Sequence, residues 1–155
     1  MPNVSLLYDI LEADKDIIES LNLSGIADAS IVIRKLPLDR RLGPQVGDVD
    51  LPAILLCPDQ DRMDPLAGPI GVNEIVFGVL CVFVAADNQS LTANMDLFAS
   101  HRESIVGAFH NQRLQGVSEV VNGWVEPREI LNQEAWKNNL HSSALVLKHQ
   151  AWIER

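Results

Sequence analysis

Asp59, Asp61 and Asp64 are the compact carboxylate cluster of this chain, and several oxygens gathered in a loop are what a hard cation needs. The spacing does not complete a calcium loop. Met63 and Asp64 stand where that pattern wants a ligand and then a glycine, and Ile70 stands where the bidentate glutamate belongs. A solvated acidic loop is the expectation. His101, His110, His141 and His149 are scattered and form no His-Glu-x-x-His or Cys-x-x-Cys set, so zinc has no ligand constellation. His101 lies three residues after Phe98 and four before Ile105, which places it near the packed side of a helix as a hydrogen-bonded core histidine. His149 alternates with Leu147 and Ala151. It reads as a sheet-face or interface residue, and as a general base only beside a nucleophile.

Nucleophilic chemistry lacks its local geometry too. Ser24-Gly25 and Ser142-Ser143 are not Gly-x-Ser-x-Gly elbows, and Pro58 after Cys57 removes a backbone donor that an oxyanion hole could use. Gly43, Gly47, Gly68 and Gly71 are interleaved with prolines and acids, without Gly-Lys-Ser/Thr or Gly-x-Gly-x-x-Gly. The expectation is a non-enzyme with no catalytic, cofactor-binding or metal-binding residues and no cofactor. Trp124, Trp136 and Trp152 all fall in the last third of the chain. Core packing accounts for such residues in general, but Trp152 shares a strand face with Lys148 and Gln150, where it could anchor a subunit contact.

The elements that position these residues are organised around a sheet. Ile75 to Ala86 is a run of apolar residues and one glycine fenced by Glu74 and Asp87. It is far shorter than the roughly 20 residues of a transmembrane helix, and its β-branched and aromatic content favours a strand covered on both faces. Helices cover one face, and a neighbouring subunit is the expected cover for part of the other. Upstream, Leu7, Ile10, Leu11, Ile17, Ile18 and Leu21 recur at helical steps, with Asp9, Glu12, Asp16 and Glu19 on the other side, so Val4 to Leu21 is a surface helix. Ser30 to Leu36, closed by Pro37, and Pro52 to Cys57 read as strands. Between and after them, Leu38 to Asp50 reads as a loop and Asp59 to Val72 as a long hairpin connection or arm.

Beyond the long strand, Leu91, Met95, Phe98, Ile105 and Phe109 mark a second helix to about Asn111. Val117 to Val125 reads as a strand interrupted at Asn122-Gly123 by a tight turn or a bulge. Helical turns are expected within Ile130 to Asn138, and a long closing strand from Ser143 to Ile153. The fold class is α+β: one domain over residues 1–155, with a mainly antiparallel sheet of about five strands and two main helices on one face.

Length and a 47% apolar composition suit a single domain with a proper core. The two cysteines, Cys57 and Cys81, both lie in apolar strand-like segments, where unpaired cysteine behaves as a small hydrophobe; a reducing compartment is expected. Met1 to Ser5 carries no basic stretch followed by an apolar core and does not read as a secretory signal. A net charge of −9 opposes general binding to phosphate backbones, with Arg34-Lys35 and Arg40-Arg41 as local basic spots. Neither sequence-specific nucleic-acid binding nor a membrane is expected.

The whole pattern resembles the tail terminator, or tail completion, proteins at the neck of long-tailed bacteriophages. The resemblance lies in order: the helix Val4 to Leu21 before a strand and a variable loop, then the apolar strand Ile75 to Ala86 running into the helix Leu91 to Asn111. A Trp-x-x-Pro segment, Trp124-Val125-Glu126-Pro127, and a closing strand from Ser142 to Lys148 complete it. It implies a structural virion protein, assembled in the host cytoplasm into a homomeric ring, typically six-fold, at the head-proximal end of the tail. Its partners would be its own copies, the tail tube protein and the head-tail connector. Other head-tail joining or baseplate roles share this pattern. From a different class, a small cytoplasmic enzyme or ligand-binding domain would draw on Asp59, Asp61, His101 and His149, and an adaptor would bind a partner along a free sheet edge.

Overall fold

The computed structural model describes residues 4–34, 38–39, 43–44, 51–59, 62–65, 72–86, 91–128 and 140–154. The first apolar periodicity becomes helix α1, Val4–Ser20. Leu6, Ile10, Leu11 and Ile18 are buried, while Tyr8, Asp9, Glu12 and Asp16 face solvent. Lys15 and Glu19 pair at 3.7 Å on the outer side, one turn apart, a contact of small energetic weight. The helix ends where Asn22 (φ 49°) takes the left-handed conformation, which asparagine tolerates better than most residues.

A short 3-10 turn at Asp28–Ser30 leads into strand β1, Ile31–Ile33. The segment expected to be a plain loop contains a small antiparallel pair, β2 (Leu38–Asp39) with β3 (Gly43–Pro44). Strand β4 is Ala53–Pro58 and β5 is Arg62–Pro65, so the Asp59 to Val72 connection holds a strand of its own. The long strand β6 is Val72–Ala86, helix α2 is Leu91–Phe109, and β7 (Val120–Pro127) and β8 (Leu140–Glu154) close the chain. The sheet runs β1-β4-β6-β8-β7, with β5 also paired to β6. The architecture is α+β and mainly antiparallel. The exception is β1 with β4, which are parallel with Ile31 opposite Ile54. Pro37, Trp136 and the turns expected in Ile130 to Asn138 lie outside the described residues.

Strands β6 and β8 pair over fifteen positions, from Val72 opposite Glu154 to Ala86 opposite Leu140. Most strands are five or six residues long. At about 3.3 Å per residue this ribbon is about 50 Å long, against a radius of gyration of about 15 Å for a compact chain of this length. It therefore spans the full width of the domain.

Alternation along the strands divides the core in two. Ile54, Leu56, Phe77, Val79, Cys81, Phe83, Leu145 and Leu147 form one cluster with Ile10, Leu11 and Ile18 of α1 and Phe98, Ile105 and Phe109 of α2. Both helices thus cover the same face. On the other face Leu55, Cys57, Val82, Val84 and Ala144 form a second buried cluster, with Val32, Leu51 and Leu80 packed against it. The centre of that face needs no neighbouring subunit as its cover. It is already closed from water within one chain, since Leu55, Cys57, Val82 and Val84 are each 0% exposed.

The β7 region also departs from expectation. Residues 117–119 precede the strand, and Val117 is instead a buried connector residue. Asn122-Gly123 makes no hairpin turn. A register shift between Val120 and Asn122 marks a bulge, and Gly123 serves a close approach: a Cβ there would lie 2.9 Å from the Gln112 carbonyl oxygen and 3.2 Å from that of Lys148. Neither backbone can retreat cheaply. Gly123→Ala is expected to cost about 1–3 kcal/mol by overpacking, read as a lowered urea midpoint; an unchanged midpoint would contradict this packing.

Candidate functional site

The arrangement with the most chemical potential joins the first helix to the last strand. Asp14 lies on α1 one turn from both Ile10 and Ile18, inside the apolar stripe, and is 0% exposed. His149 projects from β8 onto the helix-covered face and is 1% exposed. Its Nε2 donates to Asp14 Oδ2 at 3.1 Å and lies 2.9 Å from Oδ1. The Phe109 ring meets the imidazole edge-on at 6.2 Å, and Nδ1 has no partner. Burial pushes the Asp14 carboxyl above its ordinary range, and His149 pulls it back. An acid and an imidazole in this geometry could orient a proton transfer, but both are sealed from water and no described hydroxyl or thiol bonds to His149. The pair ties α1 to β8 and does not face a substrate.

The other expected residues stay apart. His101, 2% exposed, donates from Nε2 to the Ser24 carbonyl at 3.0 Å and stacks near Phe83. Burial lowers its pKa, so it is a neutral core histidine. Asp59 pairs with Arg128 at 3.8 Å on the surface. Asp61 lies outside the described residues, as do the side chains of Asp64 and His141. Among the described residues no group of three or more His, Cys, Asp or Glu could hold a metal ion, and no helix is long and apolar enough to cross a membrane.

Cys57 and Cys81 are unpaired, buried, and on opposite faces of the sheet. Burial pushes the Cys57 thiol up to about 12 and also raises that of Cys81. The thiolate is the reactive form. Ellman's reagent is therefore expected to label neither cysteine in the folded chain and both in urea; rapid labelling of the folded chain would contradict the burial.

Two surfaces remain. A groove of about 530 Å³ runs between α2 and β7, walled by Val106, Gly107, Val125, Pro127 and Leu145 with Arg102 alongside. Arg102 is engaged by the protein: one guanidinium nitrogen donates to Ser143 Oγ at 2.8 Å and to the Ala144 carbonyl at 2.7 Å. At the same groove His110 Nδ1 accepts from the Val125 backbone N–H at 3.1 Å, which occupies a donor on the outer side of edge strand β7. The second surface is the sheet face away from the helices at the far end of the β6–β8 ribbon, where Trp152 is 52% exposed. Trp124 shares this face, half-buried, with its indole N–H donating to Glu126 Oε1 at 3.2 Å.

The sequence reading missed Asp14, the central residue of the buried pair. The available signal was its place at i+4 from Ile10 and i−4 from Ile18, a position that an acid occupies only with a buried partner.

No family model matches the chain, and no curated protein matches it. Among solved structures, a chain from the virion of a native gene transfer agent particle is similar with a TM-score of 0.47 and 12% identity, over 95% of this chain and 92% of that one. Neither a common fold nor a shared role follows from agreement at that level.

Proposed function

We propose that this chain is a structural virion protein of a tailed phage, one that forms a homomeric ring at the head-proximal end of the tail, ends tube growth and joins the tail to the head connector. The observation that carries the reading is the fifteen-pair β6–β8 ribbon. Its strand β6 lies between α1 and α2 and its strand β8 closes the chain, the order on which the family resemblance rests, and the ribbon is longer than a core of this size requires. A stiff ribbon crossing the domain suits a subunit that must transmit a surface from one neighbour to the next. The titratable residues also fit a structural role better than a reaction: the buried acid–imidazole pair is closed to ligands, and His101 and Asp59 are engaged elsewhere. An acidic chain additionally disfavours sticking to DNA that slides past it.

The adaptor reading is weakened by His110, because a strand-adding peptide needs the open N–H that this ring occupies. The α2–β7 groove keeps a ligand-binding reading as the second choice. Immunogold labelling of virions with antibody against the chain separates the virion roles. Label at the head–tail junction is expected. Label at the baseplate would replace the terminator role with a baseplate one, and unlabelled virions would overturn the structural reading.

A further inference from the structure

Among the described residues the exposed large apolar side chains are Tyr8, Val106, Val121 and Trp152. Tyr8 has a hydroxyl that water satisfies, and the two valines are small. Trp152 is the largest, and at 52% exposure it leaves much of its surface in water. Its backbone is held on both sides: it pairs with Glu74 of β6 in the ladder and donates its N–H to the Glu119 carbonyl at 3.3 Å. An anchor mounted on fixed backbone loses little freedom on binding, and tryptophan is among the residues most enriched at interface hot spots.

The α2–β7 groove has the complementary chemistry. The sheet lines one side with Val125, Pro127 and Leu145, and α2 lines the other with Val106 and Gly107. Gly107 leaves room there, since a Cβ would meet nothing within 4 Å. At about 530 Å³ the groove falls in the size range of pockets that bury a small ligand. Arg102, Glu103 and His110 supply its polar lining. His110 is engaged with the Val125 N–H. The Arg102 guanidinium suits the face of an aromatic ring, and the Glu103 carboxylate is an acceptor of the kind a buried indole N–H requires. The same carboxylate disfavours an anionic occupant beside Arg102.

We infer that Trp152 of one copy seats in the α2–β7 groove of the next, head to tail, and that this contact joins neighbours in the ring; the inference rests on the ring reading. Leu145 and Trp152 are seven residues apart on β8, about 23 Å at 3.3 Å per residue. Leu145 belongs to the helix-covered face, and alternation puts Trp152 on the opposite one. A chain therefore cannot fill its own groove. Each copy presents one knob and one groove, the heterologous arrangement that generates a ring when the rotation closes. The β6–β8 ribbon fixes the distance between the two, and the contact covers Trp152 and Val106 together.

Two variants separate the halves of this contact. Trp152→Ala removes the knob and keeps the groove, whereas Gly107→Phe fills the groove and keeps the knob. Both positions are exposed, so far-UV circular dichroism should match the wild type. Native mass spectrometry over a concentration series is expected to show a ring for the wild type and, for each variant alone, association weakened at least about thirtyfold. Mixed in equal amounts, the variants should form a dimer containing one copy of each and stop there, because one knob and one groove remain. Variants that assemble as the wild type does, or a mixture that yields no such dimer, would overturn the contact while leaving a wild-type ring standing. A wild type that never assembles would overturn the ring reading and this contact with it.

Discussion

Replacing Asp14 by alanine is expected to destabilise the fold by about 3–5 kcal/mol, the usual range for breaking a buried pair by removing one partner. The carboxylate is 0% exposed and His149 1%, so neither side chain can recover water when the other is lost. After Asp14→Ala the imidazole Nε2 loses its 3.1 Å acceptor, and Nδ1 is already without one. After His149→Ala a carboxyl is left in an apolar core. The double variant should cost less than the sum of the two singles, because the second loss removes the group stranded by the first. Urea denaturation of the set measures this; additive effects would show that the pair is not coupled.

The same pair gives a pH dependence with a defined sign. Burial holds Asp14 above its ordinary value of 3.8, so between that value and the raised one the native chain binds the proton more tightly than the unfolded chain. Stability then falls as pH rises through the window. Asp14→Asn removes this contribution. Wild type should be most stable relative to Asp14→Asn in acid, with the advantage declining as pH rises above 3.8; urea melts showing the opposite slope would contradict it.

Phe83→Ala is expected to cost a further large amount, about 3–5 kcal/mol. Phe83 is 0% exposed on the helix-covered face, paired in the ladder with Ile54 on one side and Ser143 on the other. Its ring lies 6.0 Å from those of both Phe98 and His101, so it is one of the points at which α2 grips the sheet, with Phe109 against His149 as another. The cavity would be lined by strands on one side and a helix on the other, and a sheet cannot collapse into it without breaking register. A loss under about 1 kcal/mol would mean that α2 is docked elsewhere. Far-UV circular dichroism should stay near native at low urea, since hydrogen bonds within each element do not involve this ring.

Elements with long periodicity were legible in the sequence. Residues 10, 11, 17 and 18 mark α1, the run from Ile75 marks β6, and alternation from Leu145 to Ile153 marks β8, each because a pattern repeats over several turns or pairs. Strand direction leaves no such trace, which is why the parallel pairing of β1 with β4 could not be read. Asn122-Gly123 carries a turn signal, but the carbonyls of Gln112 and Lys148 crowd that position, and only tertiary structure brings them there. For the candidate site, the Trp152 face was legible because Lys148, Gln150 and Trp152 alternate. The Asp14–His149 pair was not, since its partners are 135 residues apart and Asp14 looks like one more acid on an acidic helix. The second apolar face of β6 suggested a partner subunit because period-two patterning reports burial without reporting which chain does the covering.

Native mass spectrometry over a concentration series, with negative-stain images of the same samples, tests the central claim most directly. The account predicts a closed ring of identical subunits with an open centre, present at the lowest concentrations and populated as one discrete stoichiometry. A chain that remains a monomer throughout, including when mixed with tail tubes, would contradict the ring and shift attention to the α2–β7 groove as a ligand site.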